Sequence, residues 1–134
     1  MIVDRKHHIP YVAGYSKDAH IIYIDKRLPR HFKLAHGGLA HPDQYLIIHE
    51  TLEKAVEDTL HMVYPKSHDL ATLAERAAVE KDGINWKEYQ DWFAGHYEHM
   101  RTEFEPGLVP RDLSLEPYRG MKDFALIKKM GFTP

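Results

Sequence analysis

The residues best suited to chemistry lie in the run His49-Glu50-Thr51-Leu52-Glu53. His49 and Glu53 are four residues apart, so on a helix their side chains lie on one face, about one turn apart. That spacing lets two side chains of one helix hold a single metal ion. Glu50 follows His49 directly and can address a water molecule at such an ion. The run therefore predicts a metal site in which His49 and Glu53 are ligands and Glu50 activates water.

A third ligand must come from another element, and the following helix offers two candidates. If the two helices are antiparallel and the turn lies near residues 64 and 65, Glu75 falls close to the level of Glu53. His68 then falls on the order of 10 Å further along, at a rise of 1.5 Å per residue. We therefore predict Glu75 as the third ligand. His68 is expected to line the same cavity in a catalytic role, or to serve a second ion.

The same residues also have a simpler interpretation as an ordinary helix surface. His49 and Glu53 can form a solvated pair within an array of charged neighbours. Two observations favour a metal site: Glu75 at the expected level, and the apolar run over residues 45–48. The apolar run predicts a buried helix, and buried histidine and glutamate side chains need partners.

Composition limits the alternatives for the whole chain. The 134 residues include 43% hydrophobic and 28% charged residues, a balance typical of one globular domain. No cysteine occurs, so any metal must be held by His, Asp or Glu. The formal charge of −2 argues against nucleic-acid binding. The apolar runs are too short to cross a membrane, and the N-terminus lacks a secretory signal. We expect a cytoplasmic or phage-associated protein.

The pattern along the chain predicts an α+β fold that is mainly helical. Residues 11–13 and 21–24 are rich in β-branched and aromatic side chains and predict an N-terminal β-hairpin. Residues 30–42 predict a long loop punctuated by Gly37-Gly38. Such a loop is often functional, for example as a flap over a site.

Three helices are predicted after the loop. The first, over 43–62, and the second, over 67–81, form an antiparallel pair, and the third covers 86–104. Residues 105–134 contain several prolines and predict an extended tail that can hold a short helix at 121–130, so we expect one domain with a compact core over 1–104. The first helix is expected to bury one apolar stripe, formed by Tyr45, Ile48, Leu52, Ala55, Val56 and Leu60.

This order of elements over residues 10–82 resembles the minimal core of the zincin metallopeptidases. Their His-Glu-x-x-His motif supplies two zinc ligands and a glutamate that acts as general base. The resemblance is to the glutamate-type zincins, which include small phage and bacterial peptidases that cleave repressors. They take a third ligand, a glutamate, from the following helix, about twenty or more residues beyond the motif. Glu75 lies at that separation from Glu53, although Glu53 stands where the family has its second histidine.

The chain is also similar to a group of small proteins of bacteria and their phages that has no established activity. The likeness spans about two thirds of the chain and supports the importance of the shared positions without naming a reaction. The shared residues are Pro10 to Tyr15, Tyr23-Ile24-Asp25, Pro29, His49-Glu50, Glu53-Lys54-Ala55, His68, Ala71, Glu75, Trp86 and Tyr89.

A hydrolytic site would use these residues in distinct roles. His49, Glu53 and Glu75 would hold a divalent ion, with zinc expected first and manganese or iron as alternatives. Glu50 would be the general base, and His68 or a histidine of the 31–41 loop would stabilise the oxyanion. Two carboxylates leave the ion a weak Lewis acid. A peptide or protein substrate would align along the edge strand of the hairpin.

The competing hypothesis is a non-enzymatic phage virion or assembly protein, in which the cluster is structural. The Pro-containing tail and the aromatic third helix suit docking on a partner or formation of a homo-oligomer. Bound metal together with activity that depends on Glu50 would favour the enzyme. A stable oligomer with a metal-free, unreactive cluster would favour the structural role.

Overall fold

The fold is known from a computed structural model that describes residues 2–134. The α+β, mainly helical class expected from the sequence is confirmed. No helix in that range is long and apolar enough to cross a lipid bilayer. The strands are β1 (Ile2–Asp4), β2 (Ala13–Tyr15), β3 (Ile21–Ile24), β4 (Phe32–Lys33) and β5 (Leu39–Ala40); the α-helices are α1 (Pro42–Leu60), α2 (Tyr64–Lys81), α3 (Trp86–Thr102), α4 (Glu116–Gly120) and α5 (Phe124–Lys129).

The expected hairpin is present, but its first strand begins two residues later than predicted. β3 lies in the centre of a three-stranded sheet, antiparallel to β2 and parallel to β1. β2 begins only at Ala13 because Val12 has φ of 75°, which no extended strand allows. That conformation is unusual for a β-branched residue. It is held in place by a turn in which the Val12 amide donates to the carbonyl of Ile9, 2.7 Å away.

The connection between α1 and α2 is shorter than the sequence suggested. α1 ends at Leu60 because His61 adopts the left-handed conformation, with φ of 51°. α2 begins already at Tyr64, with Pro65 in its first turn. Proline is well tolerated there because the amide it lacks has no partner within the helix. The prediction of a turn near residues 64 and 65 was therefore wrong, and the chain reverses at about Met62.

The buried face of α1 is mainly polar, which differs from the predicted apolar stripe. Tyr45 and Val56 are buried as expected. Ile48 and Leu60, by contrast, are 38% and 63% exposed. The ionisable side chains that α1 buries are His49, Glu50, Glu53, Lys54 and Glu57. Because buried charge is costly unless it is paired, this face needs partners from other elements.

Residues after 104 do not form an extended tail, and that expectation is corrected. They contain a 3₁₀ turn (Pro106–Leu108) and the helices α4 and α5. Two of the prolines, Pro106 and Pro117, lie in the first turns of helices, where proline is compatible with helical structure. The apolar side chains of the segment pack on Ile9 and Tyr23 in one core; they are Val109, Leu113, Leu115, Tyr118, Leu126, Ile127 and Met130.

Candidate metal centre

Three side chains from α1 and α2 bring their donor atoms together where His49 and Glu53 are buried and His68 is partly exposed. His49 Nε2 lies 3.0 Å from Glu53 Oε2 and 3.2 Å from His68 Nδ1, and His68 Nδ1 lies 3.1 Å from Glu53 Oε2. Ligands at about 2.0–2.2 Å from one ion stand roughly 3.0–3.5 Å from one another at octahedral to tetrahedral angles. The triangle therefore has the size of a metal site. We call these three residues the candidate metal centre.

Glu75 lies on the opposite side of the His49 ring from this triangle. Its Oε1 accepts a hydrogen bond from His49 Nδ1 at 2.8 Å, and its Oε2 accepts one from the Tyr89 hydroxyl at 2.6 Å. The first bond fixes the proton on Nδ1 and leaves Nε2 for an ion. Metal-binding histidines commonly have such a carboxylate partner. The structure thus joins His49 and Glu53 as expected, and it places His68 where Glu75 was expected.

The exchange of His68 and Glu75 follows from where the chain reverses. With the turn at Met62 rather than near residues 64 and 65, the residue level with His49 is Glu75. The residue level with Glu53 is Ala71, and His68 lies only about 4.5 Å along the helix from it. An imidazole spans that offset. The estimate that placed His68 on the order of 10 Å away was wrong for this reason.

The charges of His49 and Glu53 depend on each other. Burial acts to lower the pKa of His49, but hydrogen bonds to Glu53 and Glu75 outweigh it and raise the pKa to about 10. Burial acts to raise the pKa of Glu53, but hydrogen bonds from His49 and His68 bring it below its ordinary value. In the metal-free protein a proton on His49 therefore supplies the positive charge between the carboxylates. A divalent ion would take the place of that proton.

Glu50 is the buried carboxyl next to the candidate metal centre. It is 7% exposed and lines the same cavity as the three donor side chains. Burial, reinforced by the charge of Glu53, raises the pKa of Glu50 to about 8. At neutral pH that pKa leaves Glu50 largely protonated in the metal-free protein, and a divalent ion at the centre would favour the ionised form that a general base requires.

Two tyrosines, which the sequence did not indicate as site residues, also contact the site. The Tyr64 hydroxyl lies 3.2 Å from His68 Nδ1, and Tyr89 holds Glu75 as described above. Tyr64 stands four residues before His68 on α2, a same-face spacing that the sequence displays. It was missed because residues 64 and 65 were interpreted as the end of a helix. Tyr89 was assigned instead to the aromatic face of the third helix.

The ring of Tyr64 packs directly on Gly120, and this contact gives a testable prediction. A Cβ atom at position 120 would lie 2.5 Å from Cβ and Cδ2 of Tyr64. Gly120→Ala is therefore expected to lower the free energy of unfolding by about 1–3 kcal/mol through overpacking. Gly95→Ala is the matched control, because Gly95 lies inside α3 with nothing within 4 Å of its Cβ position. That change should stabilise the protein by about 0.5–1 kcal/mol. Similar effects in both variants, measured by chemical denaturation, would contradict the contact.

The edge of β2 is less open to a substrate than expected. The Ser114 amide donates to the carbonyl of Tyr15 at 2.8 Å, and the Lys17 amide donates to the carbonyl of Asp112 at 2.8 Å. The C-terminal segment thus already pairs with this edge, so a peptide cannot add along it there. The loop histidines His31, His36 and His41 are exposed and do not line the cavity, which removes them as stabilisers of an oxyanion.

Comparison with protein families, with characterised proteins and with solved structures finds no match for this chain. Conclusions about function therefore depend on the geometry of the site itself.

Proposed function

We propose that this protein is a metal-dependent hydrolase, similar in mechanism to the zincins, in which zinc is held by His49, Glu53 and His68. The observation that carries the proposal is the triangle of donor atoms 3.0–3.2 Å apart next to the buried Glu50 carboxyl. Structural zinc sites are closed by four protein ligands, whereas catalytic sites use three and keep one position open. Three donors at the wall of a cavity fit the second kind.

The revised ligand set also supports a stronger Lewis acid than the sequence suggested. His49, Glu53 and Glu75 would bring two negative charges to the ion and leave it neutral. With His68 in place of Glu75, two imidazoles and one carboxylate leave a net charge of about +1. Two histidines and one glutamate are the donor set of known catalytic zinc sites. Because two histidines and one carboxylate also suit iron(II), the metal-content experiment includes iron and manganese.

In the proposed hydrolysis, each residue of the site has a defined task. A divalent ion at the centre supplies a Lewis acid that polarises a carbonyl group and makes a water molecule more acidic. Glu50 accepts the proton of the attacking water and returns it to the leaving group. His68, expected as a catalytic residue, is assigned to the ligands. The Tyr64 hydroxyl, at the edge of the centre, donates a hydrogen bond to the developing oxyanion. Glu75 keeps His49 oriented.

The packing of the chain weakens the arguments for a purely structural role. That alternative was based on an extended tail and on an aromatic face of the third helix. The residues after 104 instead contribute to the core. Phe93 and Tyr97 of α3 line the cavity beside the centre, and Tyr89 binds Glu75. The segment after 104 is thus packed within the chain, and the aromatic face of α3 borders the cavity.

Elemental analysis of the purified, tag-free protein tests the proposal. We expect about one zinc, iron or manganese ion per chain, and little in His68→Ala. His99→Ala, at an exposed histidine paired with Glu103, should retain the metal of the parent. In a screen of peptide substrates, Glu50→Gln should keep the ion and lose at least about 10²-fold in kcat.

Two results would contradict this assignment. The first is a parent protein that takes up no ion even after incubation with all three metals. The second is a Glu50→Gln variant that hydrolyses its substrate as fast as the parent. Stoichiometric metal without any hydrolysis that depends on Glu50 would instead favour a structural metal site.

A further inference from the structure

We infer that the cavity beside the candidate metal centre receives an uncharged, apolar side chain of a peptide, of the size of leucine or phenylalanine. The inference builds on the proposed function, because it names the substrate class of the same site. The cavity has a volume of about 550 Å³. That value lies within the range of about 300–1,000 Å³ typical of small-ligand sites. It accommodates one large side chain together with the peptide groups that flank it.

The charges around the cavity exclude an anionic substrate group. Besides four tyrosines, its ionisable lining consists of four carboxyl groups and two histidines, and no lysine or arginine is present among the described residues that line it. Sites for phosphates or carboxylates normally hold them with arginine or lysine side chains. A phosphate ester or a free C-terminal carboxylate would face four carboxyl groups here without a lysine or arginine to offset them, and the ion would be its main cationic partner.

A cationic side chain also finds no free partner. Glu53 and Glu75 already accept hydrogen bonds from the histidines and from Tyr89. Asp91 is 66% exposed and pairs with Lys87 at 2.7 Å, so it offers a cation only a weak contact that water screens. The remaining carboxyl, Glu50, is the general base of the proposed reaction. The part of the cavity away from the ion is therefore suited to an uncharged group.

The wall opposite the centre is apolar and aromatic. α3 directs Trp86, Phe93 and Tyr97 into the cavity, and all three are only partly buried. Partly exposed aromatic rings in a concave site gain stability when an apolar side chain covers them. Gln90 lies at the cavity wall and is exposed. Its side-chain amide provides both the donor and the acceptor that a peptide group needs. An apolar residue within a peptide covers the aromatic rings with its side chain, and its peptide groups can bind the Gln90 amide.

Calorimetric titration with three capped peptides tests the inference. The ligands are N-acetyl-Ala-X-Ala-amide with X as Phe, Glu or Lys, and the protein is Glu50→Gln, which prevents turnover. We expect the Phe peptide to bind at least about tenfold more tightly than the other two. Ala94→Phe, at an exposed position of the cavity wall, should weaken its binding at least about tenfold without changing the metal content. Ala77→Phe, on an exposed part of α2 away from the cavity, is the matched control and should have no effect.

Equal or tighter binding of the Glu or Lys peptide would overturn the inference, as would unchanged binding in Ala94→Phe or no binding of any peptide. Metal content, measured on the same samples, tests the proposed function separately. A protein that holds its ion but shows no preference for the Phe peptide contradicts only the substrate class. A metal-free protein that still prefers the Phe peptide contradicts only the metal-dependent hydrolase.

Discussion

Addition of one equivalent of zinc to the metal-free protein at pH 7 is expected to release at least about one proton and to stabilise the fold. His49 has a pKa raised to about 10 by its two carboxylate partners, so at pH 7 it carries a proton that an ion must displace. The apparent affinity should therefore rise about tenfold per pH unit as the pH increases from about 7 to about 9. At a free zinc concentration 1,000 times Kd, the free energy of unfolding should rise by about 4 kcal/mol.

The same pKa also sets how the stability of the metal-free protein depends on pH. The folded pKa of His49, about 10, lies above the ordinary value of 6.5, so folding strengthens the binding of this proton. The resulting stabilisation is complete below pH 6.5 and is lost as the pH rises through about 10. Once zinc has replaced the proton, this loss should disappear.

Calorimetry in buffers of different ionisation enthalpy counts the released protons, and thermal denaturation follows the stability. His49→Gln should release no proton and gain no stability from zinc. His99→Gln, at an exposed position outside the centre, should behave as the parent does. Zinc binding without proton release in the parent would show that His49 keeps its proton. His49 would then not be a ligand.

Loss of His68 is expected to cost far more metal affinity than loss of the Glu75 charge. His68→Ala removes one of three donor atoms from the triangle, so zinc binding should fall by more than about 1,000-fold. Glu75→Gln keeps an oxygen that can accept the hydrogen bond of His49 Nδ1 and removes only the charge. Changes of this kind to the partner of a metal-binding histidine typically cost about 10–100-fold.

Which of the two variants loses more zinc affinity shows whether His68 or Glu75 is the third ligand. If Glu75 were the third ligand, as the sequence suggested, Glu75→Gln would be the more damaging change. Competition with a chromogenic chelator measures both affinities over the required range. Circular dichroism should show the same helical content in both variants, since α1 and α2 remain packed through other contacts.

The sequence was most informative about interactions within one helix. The pairing of His49 and Glu53 follows from a four-residue spacing that any helix imposes. The choice between His68 and Glu75 needed the position of the turn between two helices. Pro65 fits either the break between helices or the first turn of the second one, and an error of a few residues there exchanges the two roles.

Features that depend on distant contacts could not be predicted from local patterns. The left-handed conformation of Val12 is stabilised by its surroundings and contradicts the preference of valine for strands. The segment after residue 104 was judged extended because of its prolines. Its burial depends on contacts with Ile9 and Tyr23, about a hundred residues earlier in the chain. The prediction of an apolar stripe on the buried face of α1 was wrong for a related reason. The face of α1 that packs against α2 is the polar one.

The core that joins Ile9 and Tyr23 to residues 109–130 has a consequence for how the protein is made. A ribosome delivers the chain from its N-terminus, and segments begin to fold as they emerge. β3 and α1 leave the ribosome early, but the side chains that cover Tyr23 follow only with Leu113 to Met130. Gly120, against which Tyr64 packs, also arrives late. During synthesis the N-terminal half therefore keeps apolar surface exposed until residues 109–130 have emerged, and the cavity wall is completed only once Met121 has emerged.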